Sequence, residues 1–249
     1  MEEDAPMRSA LVTILLLLVL VLAGLNVYQW RTAALTPPRT IADRFTTVWA
    51  KAPNTWYRNT FMGIPTWQNP MDVWVTLEIL WKVKPDVILE AGTFKGGSAL
   101  MWAMFLEHVV PDGRVVTIDL KPQSFEAKAR PLARERIDFL YGSSTAPEIV
   151  EKVREMTTGK RVLAILDSLH TRDHVYNELR AYADLIPVGS YIIVQDGAVC
   201  GHPVDADPCP GPYEAVADFL AEDDRFVAVR EHERHMMTSN PMGFLKRVR

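Results

Sequence analysis

The chain has 249 residues, 48% of them hydrophobic and 23% charged, which fits a folded protein with a core of its own. Its formal net charge of -4 and pI near 5.9 exclude nucleic acid as the main partner, because there is no basic excess to neutralise phosphates. The only cysteines, Cys200 and Cys209, exclude a disulfide framework or a four-cysteine zinc site; one bridge is open to them, and two free thiols in a reducing compartment is the expectation.

The first element is an uncharged run between Arg8 and Arg31, SALVTILLLLVLVLAGLNVYQW, whose 22 residues are long enough to cross a bilayer as a helix. Tyr28 and Trp30 stand at its end, where amphipathic aromatics favour the headgroup region. Glu2, Glu3 and Asp4 outnumber Arg8 ahead of it, the reverse of a signal peptide, so an uncleaved single-pass anchor over residues 1–31 is expected. Arg31, Arg39 and Arg44 follow the span and only Arg8 precedes it, which places the large domain in the cytoplasm. Residues 32–59, with Pro37 and Pro38 and a weakly helical stretch, read as a linker to a domain over 60–249. Trp56, Trp67, Trp74 and Trp81 read as packing residues, with the lining of an acceptor pocket as the alternative. The spacing predicts a helix over 70–83 with Val73, Leu77 and Leu80 on its core face.

Beyond Pro85 strands and helices alternate. Strands are expected over 86–90, 114–120, 137–141, 162–167 and 190–196, with 226–229 and 244–248 closing the sheet. Helices are expected over 98–108, 148–156 and 215–220, and another carries Val175, Leu179, Tyr182 and Ile186 on one face. The alternation indicates an α/β fold, a mostly parallel sheet with helices on both faces.

Several strands end in polar or glycine-rich clusters, where an open α/β sheet binds its ligands. The first is EAGTFKGGS, residues 90–98, which holds Glu90, Gly92, Thr93, Gly96, Gly97 and Ser98. Gly92 allows a tight turn, Gly96 and Gly97 let backbone approach a ligand, and the next helix offers free N–H groups to a carboxylate. Asp119, at the end of the next strand, can accept hydrogen bonds from both ribose hydroxyls of a nucleoside. Ser143 and Ser144, after Gly142, are placed to contact an adenine edge. Asp167 and Asp196 end two adjacent parallel strands and can together hold a hard divalent cation such as Mg²⁺. Such an ion would lower the pKa of an acceptor hydroxyl, and His170 could remove the proton. The competing roles are helix capping for Asp167 and a surface or capping position for His174.

From about Trp56 onward the chain resembles the cephalosporin hydroxylase / rhamnosyl O-methyltransferase family. The segments that carry the resemblance are QNPMD, PDVILEAGTFKGGSAL, VVTIDL, IDFLYGSS, ILDSLHTRDHVYNEL, VGSYIIVQD, PGPYEAVADFL and TSNPMGFLKR, in that order. The resemblance implies a Rossmann-like methyltransferase fold that binds S-adenosylmethionine through Glu90, Gly92, Gly96 and Asp119. It also implies a divalent ion near Asp167 and the end of the IVQD strand, at Gln195 and Asp196. The arrangement is similar to catechol O-methyltransferase, with His170 where that enzyme has its catalytic lysine. Family members usually read IVED, so Gln195 stands in place of a carboxylate and should weaken the metal site.

The expected function is O-methyl transfer to a hydroxyl of a sugar, lipid-linked or small-molecule acceptor, and a homo-oligomer is compatible with it. Two alternatives belong to other classes. His170, His174 and Asp196 would form a two-histidine, one-carboxylate iron site for hydroxylation. A membrane-tethered protein that binds the cofactor without turnover is the other.

Overall fold

The computed structural model describes residues 14–24 and 38–249. Residues 14–24 form a helix, α1, and among the described residues no helix is long and apolar enough to cross a membrane. The rest of the expected span, 9–13 and 25–30, lies outside the described residues, as do Arg8 and Arg31. Within the expected linker, residues 38–51 form α2 (Pro38–Lys51), and a 3-10 turn covers Trp56–Arg58.

Residues 42–249 make one compact unit. A short hairpin, β1 (Thr60–Phe61) and β2 (Ile64–Pro65), leads into α3 (Pro70–Val83). Alternation then begins with β3 (Val87–Ala91), α4 (Gly97–Val109), β4 (Arg114–Asp119), the short α5 (Phe125–Lys128) and α6 (Pro131–Arg136), and β5 (Ile137–Tyr141). It continues through α7 (Pro147–Thr157), β6 (Val162–Leu166), α8 (Arg172–Tyr182), β7 (Tyr191–Val194), α9 (Pro212–Glu222), β8 (Phe226–Ala228) and β9 (Phe244–Arg247). The seven-stranded sheet runs β5-β4-β3-β6-β7-β9-β8, with β5 to β7 parallel and the two last strands antiparallel. The Rossmann-like α/β expectation holds, and every expected strand forms.

Strand alternation divides the core between the two faces. On one, Val87, Leu89, Val116, Ile118 and Ala164 pack with Val175, Leu179 and Tyr182 of α8 and Phe219 of α9. On the other, Ile88, Val115, Leu163 and Ile193 pack with Ile79, Leu80, Leu100, Trp102 and Leu106 of α3 and α4. Three details correct the sequence reading. The buried face of α3 is Asp72, Val75, Thr76, Ile79, Leu80 and Val83, leaving Val73 and Leu77 half-buried, because two polar residues are drawn inward and a count of apolar residues misses them. Trp67, Trp74 and Trp81 are 48%, 61% and 59% exposed, so they do not pack in the core; the tryptophan that does is Trp102. Cys200 and Cys209 are joined rather than free: Cys200 N–H donates to Ala206 O and Gly201 N–H to Val204 O, a tight return that brings the two Cα atoms within 5.3 Å.

Glu90 has even parity with Ile88, so it points to the α4 face, where Trp102 Nε1 (3.0 Å) and Thr117 Oγ1 (2.6 Å) donate to its carboxylate. Burial pushes it up to about 7, against the pull of the hydrogen bonds from Thr117, Ser98 and Trp102. Between 4.5 and about 7 the folded state therefore keeps a proton that the unfolded chain has released. The stability this group contributes is whole below that window and is lost as pH rises through it, a loss on the order of 3 kcal/mol. Chemical denaturation at about pH 5 and about pH 8 should give the higher midpoint at the lower pH, and Glu90→Gln should narrow the difference. Equal midpoints in the wild type would mean that Glu90 is ionised at neutral pH.

Candidate active site

Between β3 and β6 the connections leave the sheet in opposite directions, and at such a switch point the strand ends form a crevice. A cavity of about 650 Å³ opens there, over the C-terminal ends of β3, β4, β5, β6 and β7. Of the residues expected to hold a cofactor, Gly92, Thr93, Ser98, Asp119, Ser143 and Ser144 line it together. Glu90 does not, because it is buried beneath the floor with Trp102 and Thr117. Gly96 and Gly97 do not either: they face Ala127 and Thr66, so their missing side chains make room for protein rather than for ligand.

Gly92 is the tightest point. Its φ is +102°, and a β-carbon there would lie 1.9 Å from the Asp167 carbonyl oxygen. The loop is also tied to β4, since the N–H groups of Gly92 and Thr93 both donate to Ile118 O, at 2.9 and 3.2 Å. Asp119 accepts from Phe94 N–H at 2.7 Å through Oδ2 and from Lys121 N–H at 3.1 Å through Oδ1. That holds Phe94 in a left-handed conformation (φ +48°) with its ring against Trp67, centroids 4.4 Å apart. A carboxylate offers about four lone-pair sites, so Asp119 keeps acceptor capacity for a diol.

At the other end of the cavity Asp167, His170 and Asp196 converge, each offering a ligand atom within 4.8 Å of the others. His170 Nδ1 lies 3.0 Å from Asp196 Oδ2, and His170 Nε2 lies 3.9 Å from Asp167 Oδ1. Burial, and then the nearby Asp196 and Glu90 charges, hold Asp167 well above the usual carboxylate range. Burial also raises Asp196, while His170 pulls it down. Asp167 does not cap the following helix, whose N-cap is Thr171. Gln195 lies outside the cavity, paired amide to amide with Gln68: Gln68 Nε2 donates to Gln195 Oε1 at 2.8 Å and Gln195 Nε2 to Gln68 Oε1 at 2.9 Å. Gln68 Nε2 also donates to Asp167 Oδ2 at 3.0 Å, so the pair steadies one carboxylate of the cluster.

The iron site imagined from His170, His174 and Asp196 is not formed. His174 Nε2 lies 3.1 Å from both Ser144 Oγ and Ser168 Oγ and 3.3 Å from Glu178 Oε1, because one helical turn carries it towards the loop after β5. The same ring lines the large cavity beside Ser144.

A second cavity of about 230 Å³ shares Trp56, Trp67, Gln68 and Asp196 with the first. Trp49, Val199 and Val204 give it apolar walls, and Asp72, Ser239 and Asn240 give it polar ones. Trp56 and Trp67 therefore line cavities, and their rings meet edge to face with centroids 5.6 Å apart. Sequence reasoning gave no role to Gln68, Phe94 or Asn240. The signal available for Gln68 and Asn240 was their place inside QNPMD and TSNPMGFLKR, two of the segments that carry the family resemblance.

Comparison with known proteins agrees with this geometry. The family described as Rhamnosyl O-methyltransferase/CmcI matches residues 53–248. Rhamnosyl O-methyltransferases of Mycobacterium bovis and Mycobacterium tuberculosis are 35% identical over 198 residues, covering 77% of this chain and 79% of theirs. The Mycobacterium leprae protein of that name is 34% identical over 181 residues, covering 72% and 76%. Among solved structures, CmcI with Mg and SAM is 20% identical with a TM-score of 0.60, covering 81% of this chain and 84% of its own, and shares the fold. With a strand-end crevice of the methyltransferase kind and a match over nearly all of residues 53–248, the chain belongs to the rhamnosyl O-methyltransferase/CmcI family and is an O-methyltransferase.

Proposed function

We propose that this protein transfers the methyl group of S-adenosylmethionine to a hydroxyl of a sugar, lipid-linked or small-molecule acceptor, a rhamnosyl hydroxyl being the first to test. The observation that carries the reading is the convergence of Asp167, His170 and Asp196 at the end of a cavity large enough for the donor, with Asp196 also lining a second cavity beside it for an acceptor. The residues fit the donor: Gly92 leaves backbone space, Asp119 supplies a carboxylate for ribose, and Ile118, Leu120 and Phe94 add apolar surface. They also fit Mg²⁺, since two buried carboxylates, Asp167 pushed up by burial and by the Asp196 charge and Asp196 by burial, favour a hard cation between them. Bound there, Mg²⁺ would supply Lewis acidity for the acceptor oxygen.

The chain's own contribution is orientation and proton removal. With Nδ1–H donated to Asp196, His170 keeps Nε2 free to take the acceptor proton as the oxygen attacks the methyl carbon. Asp167 and Asp196 align the hydroxyl, and exclusion of water by Trp56 and Trp67 keeps the methyl for the acceptor. The N-terminal run over residues 9–30 and the arginines after it support a cytoplasmic domain tethered beside amphiphilic acceptors. Protease protection in vesicles tests that placement.

Asp119→Ala should weaken S-adenosylmethionine binding at least about tenfold by calorimetry while leaving the fold in place. Unchanged affinity would remove Asp119 from the ribose site. In assays on rhamnosyl acceptors, His170→Ala should lower turnover by roughly 10²–10⁴-fold, the usual effect of losing a general base. Gln195→Glu should lower the Mg²⁺ concentration that gives half-maximal rate; no change would leave Gln195 only as the partner of Gln68.

A further inference from the structure

Asp72 is 3% exposed in the first turn of α3 and lies outside the donor cavity. Its two oxygens are taken by the same distant turn: Thr238 Oγ1 donates to Oδ1 at 2.6 Å and Ser239 N–H to Oδ2 at 2.7 Å. Thr238 Oγ1 in turn accepts from Asn240 N–H at 2.9 Å. Asn240, 1% exposed, accepts Asp196 N–H on Oδ1 at 3.2 Å, and Ser239 O accepts Ala198 N–H at 2.9 Å. The turn therefore grips the chain on both sides of Gly197. It sits flush on β7, for a β-carbon on Gly243 would lie 2.1 Å from Val194 O.

Asp196 needs such a grip. Its φ is +55°, a conformation that a non-glycine residue keeps only when its surroundings impose it. Relaxation to negative φ would swing its carboxylate away from His170 Nδ1.

We propose that Asp72 is a positioning residue of the methyl-transfer centre: through Thr238, Ser239 and Asn240 it holds the left-handed turn that keeps the Asp196 carboxylate on His170 and beside Asp167. The inference rests on the reading of those three residues as the reacting centre. A carboxylate suits position 72 because it accepts from Thr238 Oγ1 and Ser239 N–H at once, while the Thr238 oxygen accepts from Asn240 N–H. An amide of the same shape keeps both contacts only if the Thr238 hydroxyl turns away and gives up its donation, which loosens the turn.

The test is calorimetric titration of Mg²⁺ into the full chain saturated with S-adenosylhomocysteine, with S-adenosylmethionine affinity measured in parallel. Asp72→Asn and Asn240→Ala should each weaken Mg²⁺ binding by roughly ten- to a hundredfold, the usual effect of losing a group that orients a ligand. Cofactor affinity should stay unchanged, and the double variant should be no worse than the worse single one, as for residues acting in one chain. Native Mg²⁺ affinity in both single variants, or a loss of cofactor binding in step with it, overturns the proposal. If the wild type binds no Mg²⁺, turnover on a rhamnosyl acceptor decides instead: kcat lowered in both variants at unchanged KM for both cofactor and acceptor supports the proposal, and an unchanged kcat, or a loss that lies in the acceptor KM, overturns it. A wild type that neither binds the ion nor transfers methyl overturns the functional reading, and this inference with it. Variants that behave as wild type overturn this inference alone.

Discussion

Two carboxylates, Asp167 and Asp196, are brought together at the ends of adjacent parallel strands, and their mutual repulsion is the constraint that the surrounding structure answers. Left alone, such a pair would ionise only once, or the loops would part. The protein instead gives each a partner: Gln68 donates to Asp167, His170 sits on Asp196, and Asn240 Oδ1 accepts the Asp196 backbone N–H. Each of these comes from a different part of the chain, so the site exists only when β6, β7, the entry to α3 and the approach to β9 are all in place. Fold and site are one cooperative object at this point.

The apolar sheet makes that possible by leaving nothing to adjust beneath it. Ala91 O accepts Asp167 N–H at 2.8 Å, and Leu166 O accepts Gln195 N–H at 2.9 Å, so each strand end is fixed by the strand before it. Gly92 then lets the loop after β3 lie against the Asp167 carbonyl, which couples that loop to the end of β6 without any side chain between them. Fully buried Leu89, Ile118 and Ala164 below these ends hold the strands in register. Close packing of this kind resists small displacements, and displacement is what an aligned transfer cannot tolerate.

The alternation of apolar strands and amphipathic helices made the sheet legible, because burial on both faces leaves apolar runs such as VIL and VLAIL. Strand ends were legible for the same reason: Gly92, Asp119, Asp167 and Asp196 each stop an apolar run with a residue that cannot continue it. Residues whose role depends on side-chain parity or on a distant partner were not legible. Glu90 looked like a cofactor residue from its place in the glycine loop, yet one step along β3 turns it to the opposite face, under Trp102. Gly96 and Gly97 looked ligand-facing, and their neighbours are Ala127 and Thr66. Cys200 and Cys209 left a bridge open but favoured free thiols, since the return that joins them is made by backbone bonds of the intervening loop. Asp72 shifted the buried face of α3 from the expected one, because its partners lie more than 160 residues away.

Gln195 shows how a departure from the family pattern is absorbed. The resemblance suggested a loss, one negative charge fewer around a cation. In the structure the amide takes a partner that a carboxylate would use only in part: Gln195 both accepts from and donates to Gln68, and Gln68 spends its remaining donor on Asp167. A glutamate at 195 would accept from Gln68 Nε2 but leave Gln68 Oε1 without a donor in a buried place, while adding a third negative charge beside two that already repel. The neutral amide thus trades cation affinity for a fully bonded second layer that holds Asp167 in place. On that reckoning the weight of alignment shifts to Gln68, Asn240 and the two remaining carboxylates, and the family's third acid becomes part of the scaffold of the site.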